Sequence, residues 1–259
     1  MITLLPRVIP VLLLKNEGLY KGKEYKNHKY VGDPINTVKL FNEKEVDELL
    51  ILDITANSDA KNPNYAMLQD LASEAFMPMG YGGGVRRLDQ AEKIFEIGFE
   101  KIVLGTYAIE TPELISTFAK KFGSQSVVVS VDVNKDIFGR LRVFGFSGKK
   151  KSKLDLIKYL YTIQNAGAGE VILNDISRDG KKIGYNTDLI KKVSSHMEVP
   201  LVAGCGAWEI SHFQDALDAG ASAVAAGSIF VYEGKYDAVL INYPTKEVLK
   251  SVSYRPRGE

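Results

Sequence analysis

The chain has 259 residues, of which 45% are hydrophobic and 25% are charged, and its formal net charge is +1. Because the charge is balanced and no long basic block occurs, we expect neither nucleic acid nor a membrane surface as a partner. The single cysteine, Cys205, excludes an internal disulfide and a multi-thiolate metal site, and it is typical of a reducing, cytoplasmic compartment. The longest apolar runs are far shorter than the roughly 18 residues that a membrane-spanning helix needs.

Short runs rich in Val, Ile and Leu alternate with segments of helical periodicity, as expected for strands buried on both faces. Asp33-Pro34 and Thr111-Pro112 each place a capping side chain before a proline and so predict helix starts. Eight units in about 250 residues match the size of a (β/α)8 barrel, so we predict one barrel domain over residues 1–259. A doubly wound open sheet is the alternative. The predicted strands are 7–14, 48–54, 77–81, 101–104, 126–133, 170–173, 199–203 and 223–226.

An internal repeat favours the barrel over the open sheet. Residues 48–106 align without a gap on residues 170–228, at a constant offset of 122, and ten positions are identical. Average composition gives roughly three or four matches by chance over such a span. The identities concentrate at the ends of predicted strands, which indicates two equivalent half-barrels.

Glycine-bearing loops follow four of the predicted strands, and they recur in register in the two halves. At the C-terminal ends of barrel strands, glycines let backbone N–H groups approach a phosphate, and a helix N-terminus adds a favourable dipole. These loops therefore predict an elongated ligand with phosphate at each end, although tight turns between strand and helix would also explain the glycines. The candidate residues are Gly82, Gly83, Gly84, Gly105 and Thr106 in the first half, and Gly204, Cys205, Gly206, Gly227 and Ser228 in the second.

Asp132 follows the apolar run of the predicted fifth strand and is the candidate catalytic residue. A carboxylate at the mouth of a barrel can act as general acid or base, because partial burial raises its pKa. The simpler alternative is that Asp132 caps a turn. Further ligand-binding candidates at strand ends and in the first loop are Lys21, Asp53, Asn174, Asp175, Asp179 and Gly180.

Over nearly its whole length the chain resembles the cyclase subunit of imidazole glycerol phosphate synthase. The motifs that carry this resemblance include Gly32-Asp33-Pro34, Leu52-Asp53-Ile54-Thr55, Gly82-Gly83-Gly84, Phe122-Gly123-Ser124-Gln125, Ser147-Gly148-Lys149-Lys150 and Arg178-Asp179-Gly180. The resemblance implies a barrel that receives ammonia from a glutaminase subunit, adds it to a sugar bis-phosphate and closes an imidazole ring. It implies neither a cofactor nor a metal.

The resemblance assigns acid and base work to one aspartate at the end of the first strand and another at the end of the fifth. Asp132 matches the second, but Leu13 stands where the first would be. Loss of a general acid or base costs about 10²- to 10⁴-fold in rate, so ring closure is in question. Gly105, Ser177 and Cys205 also depart from the family pattern. These changes resemble a second-copy branch that is associated with glycosyl amidation in surface-polysaccharide (O-antigen) pathways, where a sugar amidotransferase is a further expected partner.

Four charged residues begin predicted strands at the opposite, N-terminal face, and we call Arg7, Glu48, Lys101 and Glu170 the floor charges. Two cations and two carboxylates should pair there, because unpaired buried charges are costly. By resemblance they form a gate through which ammonia enters the barrel. A plain salt-bridge ring that closes the barrel floor is the alternative.

Three functional hypotheses follow for a phosphorylated small-molecule substrate. The first is an ammonia-accepting barrel that works with a glutaminase and feeds nitrogen to a phosphorylated sugar in surface-polysaccharide synthesis. The second is the cyclase of histidine biosynthesis, which forms imidazole glycerol phosphate and AICAR from PRFAR. The third is a non-catalytic ammonia conduit that activates the glutaminase.

Overall fold

Eight parallel strands form a closed barrel in the computed structural model, which describes residues 5–56 and 62–254. Each strand pairs in parallel with the next, and β1 pairs with β8 through Arg7 opposite Ala223, so the sheet closes on itself. The predicted (β/α)8 fold is therefore confirmed, and an open sheet is excluded because such a sheet would end in two edge strands. The barrel strands are β1 (Arg7–Lys15), β2 (Leu49–Asp53), β3 (Met79–Gly82), β4 (Lys101–Leu104), β5 (Val127–Lys135), β6 (Glu170–Asp175), β7 (Leu201–Gly204) and β8 (Ala223–Ala226).

Helices form the outer layer. Asp33 caps α1 by accepting a hydrogen bond from the N–H of Asn36, with Pro34 in the first turn, as predicted. The helix after Thr111 begins one residue later than expected, because Pro112 is its N-cap. The helices are α1 (Pro34–Glu43), α2 (Tyr65–Ser73), α3 (Leu88–Ile97), α4 (Thr106–Glu110), α5 (Glu113–Phe122), α6 (Leu156–Asn165), α7 (Thr187–Ser194), α8 (Ile210–Asp218), α9 (Ser228–Val231) and α10 (Lys246–Leu249), with 3₁₀ turns at Ser124–Ser126 and Ile176–Arg178.

Strand alternation divides the apolar residues into two cores. Side chains that point outward pack against the helices, whereas a separate cluster fills the barrel interior. Along β5, Val127, Val129 and Val131 belong to the outer core, while Val128 lies inside the barrel. The same period of two directs Asp132 inward at the C-terminal end of β5. The interior cluster consists of Ile9, Leu50, Val103, Val128, Ile172, Val202, Ala223 and Ala225.

The two halves use their repeated residues for the same local structures. Asp53 accepts hydrogen bonds from the backbone and hydroxyl of Thr55, and Asp175 accepts the same pair of bonds from Ser177. At both N-caps an asparagine accepts from the third helical residue: Asn64 from Met67 in α2, and Asn186 from Leu189 in α7. The repeat therefore preserves side chains that define turns and helix starts.

Two β-hairpins extend from the barrel at the C-terminal ends of β1 and β5, and neither was predicted. We call the pair Gly18–Lys23 and Lys26–Gly32 the first hairpin. The second is formed by Leu141–Gly145, which pairs antiparallel with β5, and Lys150–Lys151. A short two-stranded ribbon, Tyr232–Glu233 with Ala238–Val239, lies after α9. Both hairpins lie at the end of the barrel where the candidate site residues gather.

Candidate active site

A cavity of about 380 Å³ opens at the C-terminal ends of the strands. It brings together the predicted residues from all over the chain, except Gly84 and Asp175. Gly84 does not line it, because the chain leaves the cavity at this left-handed residue (φ 68°) and leads to α3, so a ligand contact at Gly84 stays a prediction. The predicted residues that line the cavity are Lys21, Asp53, Gly82, Gly83, Gly105, Thr106, Asp132, Asn174, Asp179, Gly180, Gly204, Cys205, Gly206, Gly227 and Ser228.

Asp132 is held by side chains from three elements. Its Oδ1 accepts hydrogen bonds from the Tyr25 hydroxyl (2.9 Å), from Asn174 Nδ2 (2.9 Å) and from Ser130 Oγ (3.4 Å). Asn174 lies directly opposite Asp132 in the β5–β6 register. Oδ2 accepts no hydrogen bond from the residues that the structure describes. Asp132 therefore does not cap a turn, and one of its oxygens remains for a ligand.

Burial raises the pKa of Asp132, and the nearby carboxylate of Asp179 acts in the same direction. The hydrogen bonds from Asn174, Tyr25 and Ser130 favour the ionised form and offset only part of this effect. A carboxyl group with a raised pKa exchanges protons nearer to neutral pH than an exposed aspartate does. The environment of Asp132 therefore suits a general acid or base.

Lys21 and Asp179 form a buried ion pair at the second-half end of the cavity, with 2.6 Å between Nζ and Oδ1. The lysine side chain runs over Gly227, where an added Cβ would lie 3.2 Å from Lys21 Cε. Close to it, Gly227 is the N-cap of α9, and Ser228 is the first residue of this short helix. A positive charge, a hydroxyl and helix N–H groups thus meet at one end of the cavity, which suits an anionic group.

The first-half end has the same backbone plan but a different side-chain environment. Gly105 is the N-cap of α4, and a Cβ added there would have no neighbour within 4 Å. The hydroxyl oxygen of Thr106 accepts a hydrogen bond from the backbone N–H of Phe146 in the second hairpin (2.8 Å). The two ends of the cavity therefore have the same backbone arrangement but different side chains around it.

Asp53 lines the cavity, but its carboxylate is engaged by the turn that follows β2. Oδ1 accepts from the N–H and hydroxyl of Thr55 and from the N–H of Ala56, at 2.7–3.1 Å. Asp175, its repeat partner, makes the equivalent turn and also accepts from Asn186 Nδ2. Both carboxylates therefore stabilise the turns that follow their strands.

Leu13 lies in the cavity wall with Val11 and Leu52, on the inward face of β1 and β2. This wall is apolar where the resemblance leads us to expect a carboxylate. Asp132 is consequently the carboxylate of the cavity that hydrogen-bonds to neither a turn nor a lysine among the described residues.

Several cavity residues were missed from the sequence: Tyr25 and His28 of the first hairpin, and Lys15 at the end of β1. Burial and the charges of Lys15 and Lys21 lower the pKa of His28, which therefore stays neutral at neutral pH. His28 is half-buried and faces the cavity. The sequence alone does not reveal that Tyr25, His28 and Lys15 lie together, because only the fold of the hairpin brings them to the cavity.

Cys205 occupies a left-handed backbone position (φ 67°) where the first half has Gly83, and its thiol lies 3.6 Å from Asn174 Oδ1. Burial and the negative charges of Asp179 and Asp132 raise its pKa well above the usual range. The thiol therefore stays protonated, which argues against a nucleophilic cysteine.

The floor charges form a closed ring of ion pairs at the opposite end of the barrel. Arg7 contacts both Glu48 and Glu170, and Lys101 Nζ lies 2.8 Å from Glu48 Oε1 and 2.9 Å from Glu170 Oε2. The predicted pairing is confirmed. Although burial alone would raise it, the hydrogen bonds and charges of Arg7 and Lys101 hold the pKa of Glu170 below its usual value.

The comparisons with known proteins agree with this geometry. The model of the histidine biosynthesis protein family matches residues 7–237. A Pseudomonas aeruginosa protein, provisionally named imidazole glycerol phosphate synthase subunit HisF2, is 47% identical over 239 residues, which cover 92% of this chain and 95% of the relative. The chain belongs to the histidine biosynthesis protein family, among its HisF-type cyclase subunits.

Two further relatives of this family cover a similar share. A Leptospira borgpetersenii protein with a provisional HisF name is 46% identical over 92% of this chain and 95% of its own length. The imidazole glycerol phosphate synthase subunit HisF of Streptomyces avermitilis is 38% identical over 88% and 91%, respectively. Among the described residues, the structure contains no helix that is long and apolar enough to cross a membrane.

We predict that Glu170→Gln destabilises the fold by about 3 kcal/mol at neutral pH, because Arg7 and Lys101 each lose a carboxylate partner in a mostly buried ring. The pKa of Glu170 is lower in the folded chain than the value of 4.5 expected when unfolded, so its contribution is present above this pH and is lost as the pH falls. The free-energy difference between wild type and variant, measured by denaturant unfolding, should therefore shrink below about pH 4.5.

The exposed Glu100, which lies near the same face, provides the control. Glu100→Gln should leave the free energy of unfolding within about 0.5 kcal/mol of the wild-type value at each pH. A loss in Glu170→Gln that is no larger than in this control would show that the ring contributes nothing to stability.

Proposed function

We propose that the chain is an ammonia-accepting barrel in which Asp132 acts as general acid or base on a phosphorylated sugar. The observation that carries this proposal is the position of Asp132, which is half-buried, hydrogen-bonded on one oxygen and located in a cavity with a glycine-bearing loop at each end. Attack of ammonia on a carbonyl or imine carbon, and any ring closure that follows, requires proton transfers. A carboxyl group with a raised pKa suits them.

The ends of the cavity support a phosphorylated substrate. Glycines preceding α4 and α9 let backbone N–H groups point at a ligand, and Lys21 adds a positive charge beside Gly227. Lys15 and Lys149 also line the cavity, so cations surround its mouth. An elongated sugar with two anionic groups would place its middle near Asp132.

The barrel axis supports delivery of ammonia from below. The floor charges close the N-terminal end, and the interior cluster above them consists of apolar residues, including the small Ala223 and Ala225. Neutral ammonia can cross an apolar passage without the desolvation cost that an ammonium ion bears. We therefore propose a glutaminase subunit as the partner at this face, as in imidazole glycerol phosphate synthase, with the floor charges as its gate.

Two features support a role in sugar amidation rather than histidine biosynthesis. Leu13 keeps the wall opposite Asp132 apolar, and Cys205 introduces a thiol into the second-half loop. The name HisF2 of the Pseudomonas aeruginosa relative fits an additional copy of the subunit. A second-copy barrel that supplies nitrogen for a surface polysaccharide, with a sugar amidotransferase as a further partner, fits these features.

The cyclase of histidine biosynthesis, which converts PRFAR to imidazole glycerol phosphate and AICAR, is the second candidate. It is favoured by the family match and by relatives such as the Streptomyces avermitilis subunit. A third candidate is a non-catalytic conduit that activates the glutaminase. Growth of a cyclase-deficient histidine auxotroph on this gene would favour the second candidate, and gene neighbours for polysaccharide synthesis would favour the first.

Asp132→Asn should lower ammonia-dependent product formation by about 100-fold or more, because the amide cannot exchange the proton. The assay supplies an ammonium salt to the complex with its glutaminase, and partner binding should not change. Asp188→Asn, on the exposed face of α7, is the matched control and should keep full activity. Unchanged product formation in Asp132→Asn would rule out the acid or base role and favour the conduit.

Leu13→Asp should increase conversion of PRFAR to imidazole glycerol phosphate, because it adds a second proton-exchanging group to the apolar wall. Leu13→Asn controls for size and polarity, since asparagine cannot exchange a proton. Conversion is measured by the release of AICAR. No gain in Leu13→Asp, or an equal gain in both variants, would contradict the assignment of the missing acid or base to this position.

A further inference from the structure

The first hairpin brings a hydroxyl group to Asp132 from a distant part of the sequence. Tyr25 lies at the tip of this hairpin in a left-handed conformation (φ 61°), and its hydroxyl donates to Asp132 Oδ1 over 2.9 Å. The other two donors to this oxygen, Asn174 and Ser130, belong to the barrel itself. Tyr25 is thus the donor to Asp132 whose presence depends on the hairpin lying over the cavity.

Several bonds hold the hairpin tip in this place. The backbone N–H of Glu24 donates to the carbonyl of Asp179 (2.9 Å), and the Glu24 side chain pairs with Lys181 (2.7 Å). Gly180 permits the close approach, because a Cβ at this position would lie 2.3 Å from the carbonyl oxygen of Gly22. The position of the Tyr25 hydroxyl therefore follows from contacts over the whole tip.

We propose that Tyr25 is a positioning residue for Asp132: its hydroxyl holds Oδ1, so that Oδ2 is the oxygen that exchanges a proton with the ligand. This inference rests on the proposed acid or base role of Asp132. Leu13 leaves the opposite wall apolar, and the other carboxylates that line the cavity, Asp53 and Asp179, are engaged by a turn and by Lys21, so the hairpin supplies a neutral donor to Asp132.

Three further titratable groups lie around Asp132 and Tyr25 of the first hairpin. Asp179 belongs to the segment after β6, Cys205 to the loop after β7 and Tyr159 to α6. Burial and the charge of Asp132 raise the pKa of Tyr25 well above its usual value, so the hydroxyl keeps its proton and acts as a donor. Burial and the same charge act on Tyr159 in the same direction.

The test is a ¹³C NMR titration of the Asp132 carboxyl carbon in the full-length chain, assigned from the spectrum of Asp132→Asn. Tyr25→Phe keeps the ring and removes the hydroxyl, and a hydrogen bond to the ionised carboxylate lowers its pKa. We therefore expect the Asp132 midpoint in Tyr25→Phe to rise by about one pH unit. Tyr30→Phe, on the same hairpin but 58% exposed, is the matched control and should leave the midpoint unchanged.

An unchanged midpoint in Tyr25→Phe, or an equal rise in Tyr30→Phe, would overturn the assignment. In the ammonia-dependent assay, Tyr25→Phe should lower kcat about tenfold while KM stays within about twofold, as for a group that acts at the proton-transfer step. An unchanged kcat would also overturn it. If the NMR shift occurs but the wild-type complex forms no product, the proposed function fails, while Tyr25 remains the group that holds Asp132.

Discussion

The hydrogen-bonded contact between Asp132 and Asn174 depends on the register of β5 and β6, and the rest of the site is arranged around it. Parallel pairing places the two residues opposite each other, and strand alternation turns both into the barrel. A shift of one residue in β5 would direct Asp132 into the helical layer and Val131 or Val133 into the cavity. The closed barrel fixes this register, because every strand is hydrogen-bonded on both sides.

The barrel has charge at both ends and apolar residues between them. At the floor, two cations and two carboxylates neutralise each other in a ring, so the arrangement needs no external ion. At the mouth, lysines from β1 and from both hairpin regions lie around the cavity, and of these Lys21 alone, among the residues that the structure describes, pairs with a carboxylate that lines it. The neutralised floor suits the entry of a neutral molecule from below, and the lysines at the mouth suit the binding of an anionic molecule above.

The strands, the repeat and most cavity residues could be predicted from the sequence because each has a local cause. Buried parallel strands require continuous apolar runs, and the ends of such strands in a closed barrel meet at one face, so glycines and acids at those ends lie together. Gly84 could not be separated from Gly82 and Gly83, because a run of three glycines leaves the direction of the chain undetermined. Asp53 was located correctly, but its role as a turn acceptor depends on Thr55, whose hydroxyl donates only in the folded turn.

Tyr25 and His28 could not be predicted from local patterns. They belong to a hairpin that lies over the cavity through contacts more than 100 residues away in sequence, such as the bond from Tyr25 to Asp132. An aromatic residue among lysines and asparagines has the composition of a solvent-exposed loop. Only the close approach of the hairpin backbone to Gly180 turns this segment into part of the site.

In the proposed site, Asp132 faces the middle of a ligand whose anionic ends lie on the glycine-bearing loops at both ends of the cavity. A crystal structure of the chain grown with inorganic phosphate tests it most directly. We expect two bound phosphates, one on the backbone of Gly83 and Thr106 and one on that of Gly206 and Ser228 beside Lys21, with Asp132 between them. Phosphate at neither loop, or at sites on the outer helices only, would contradict it.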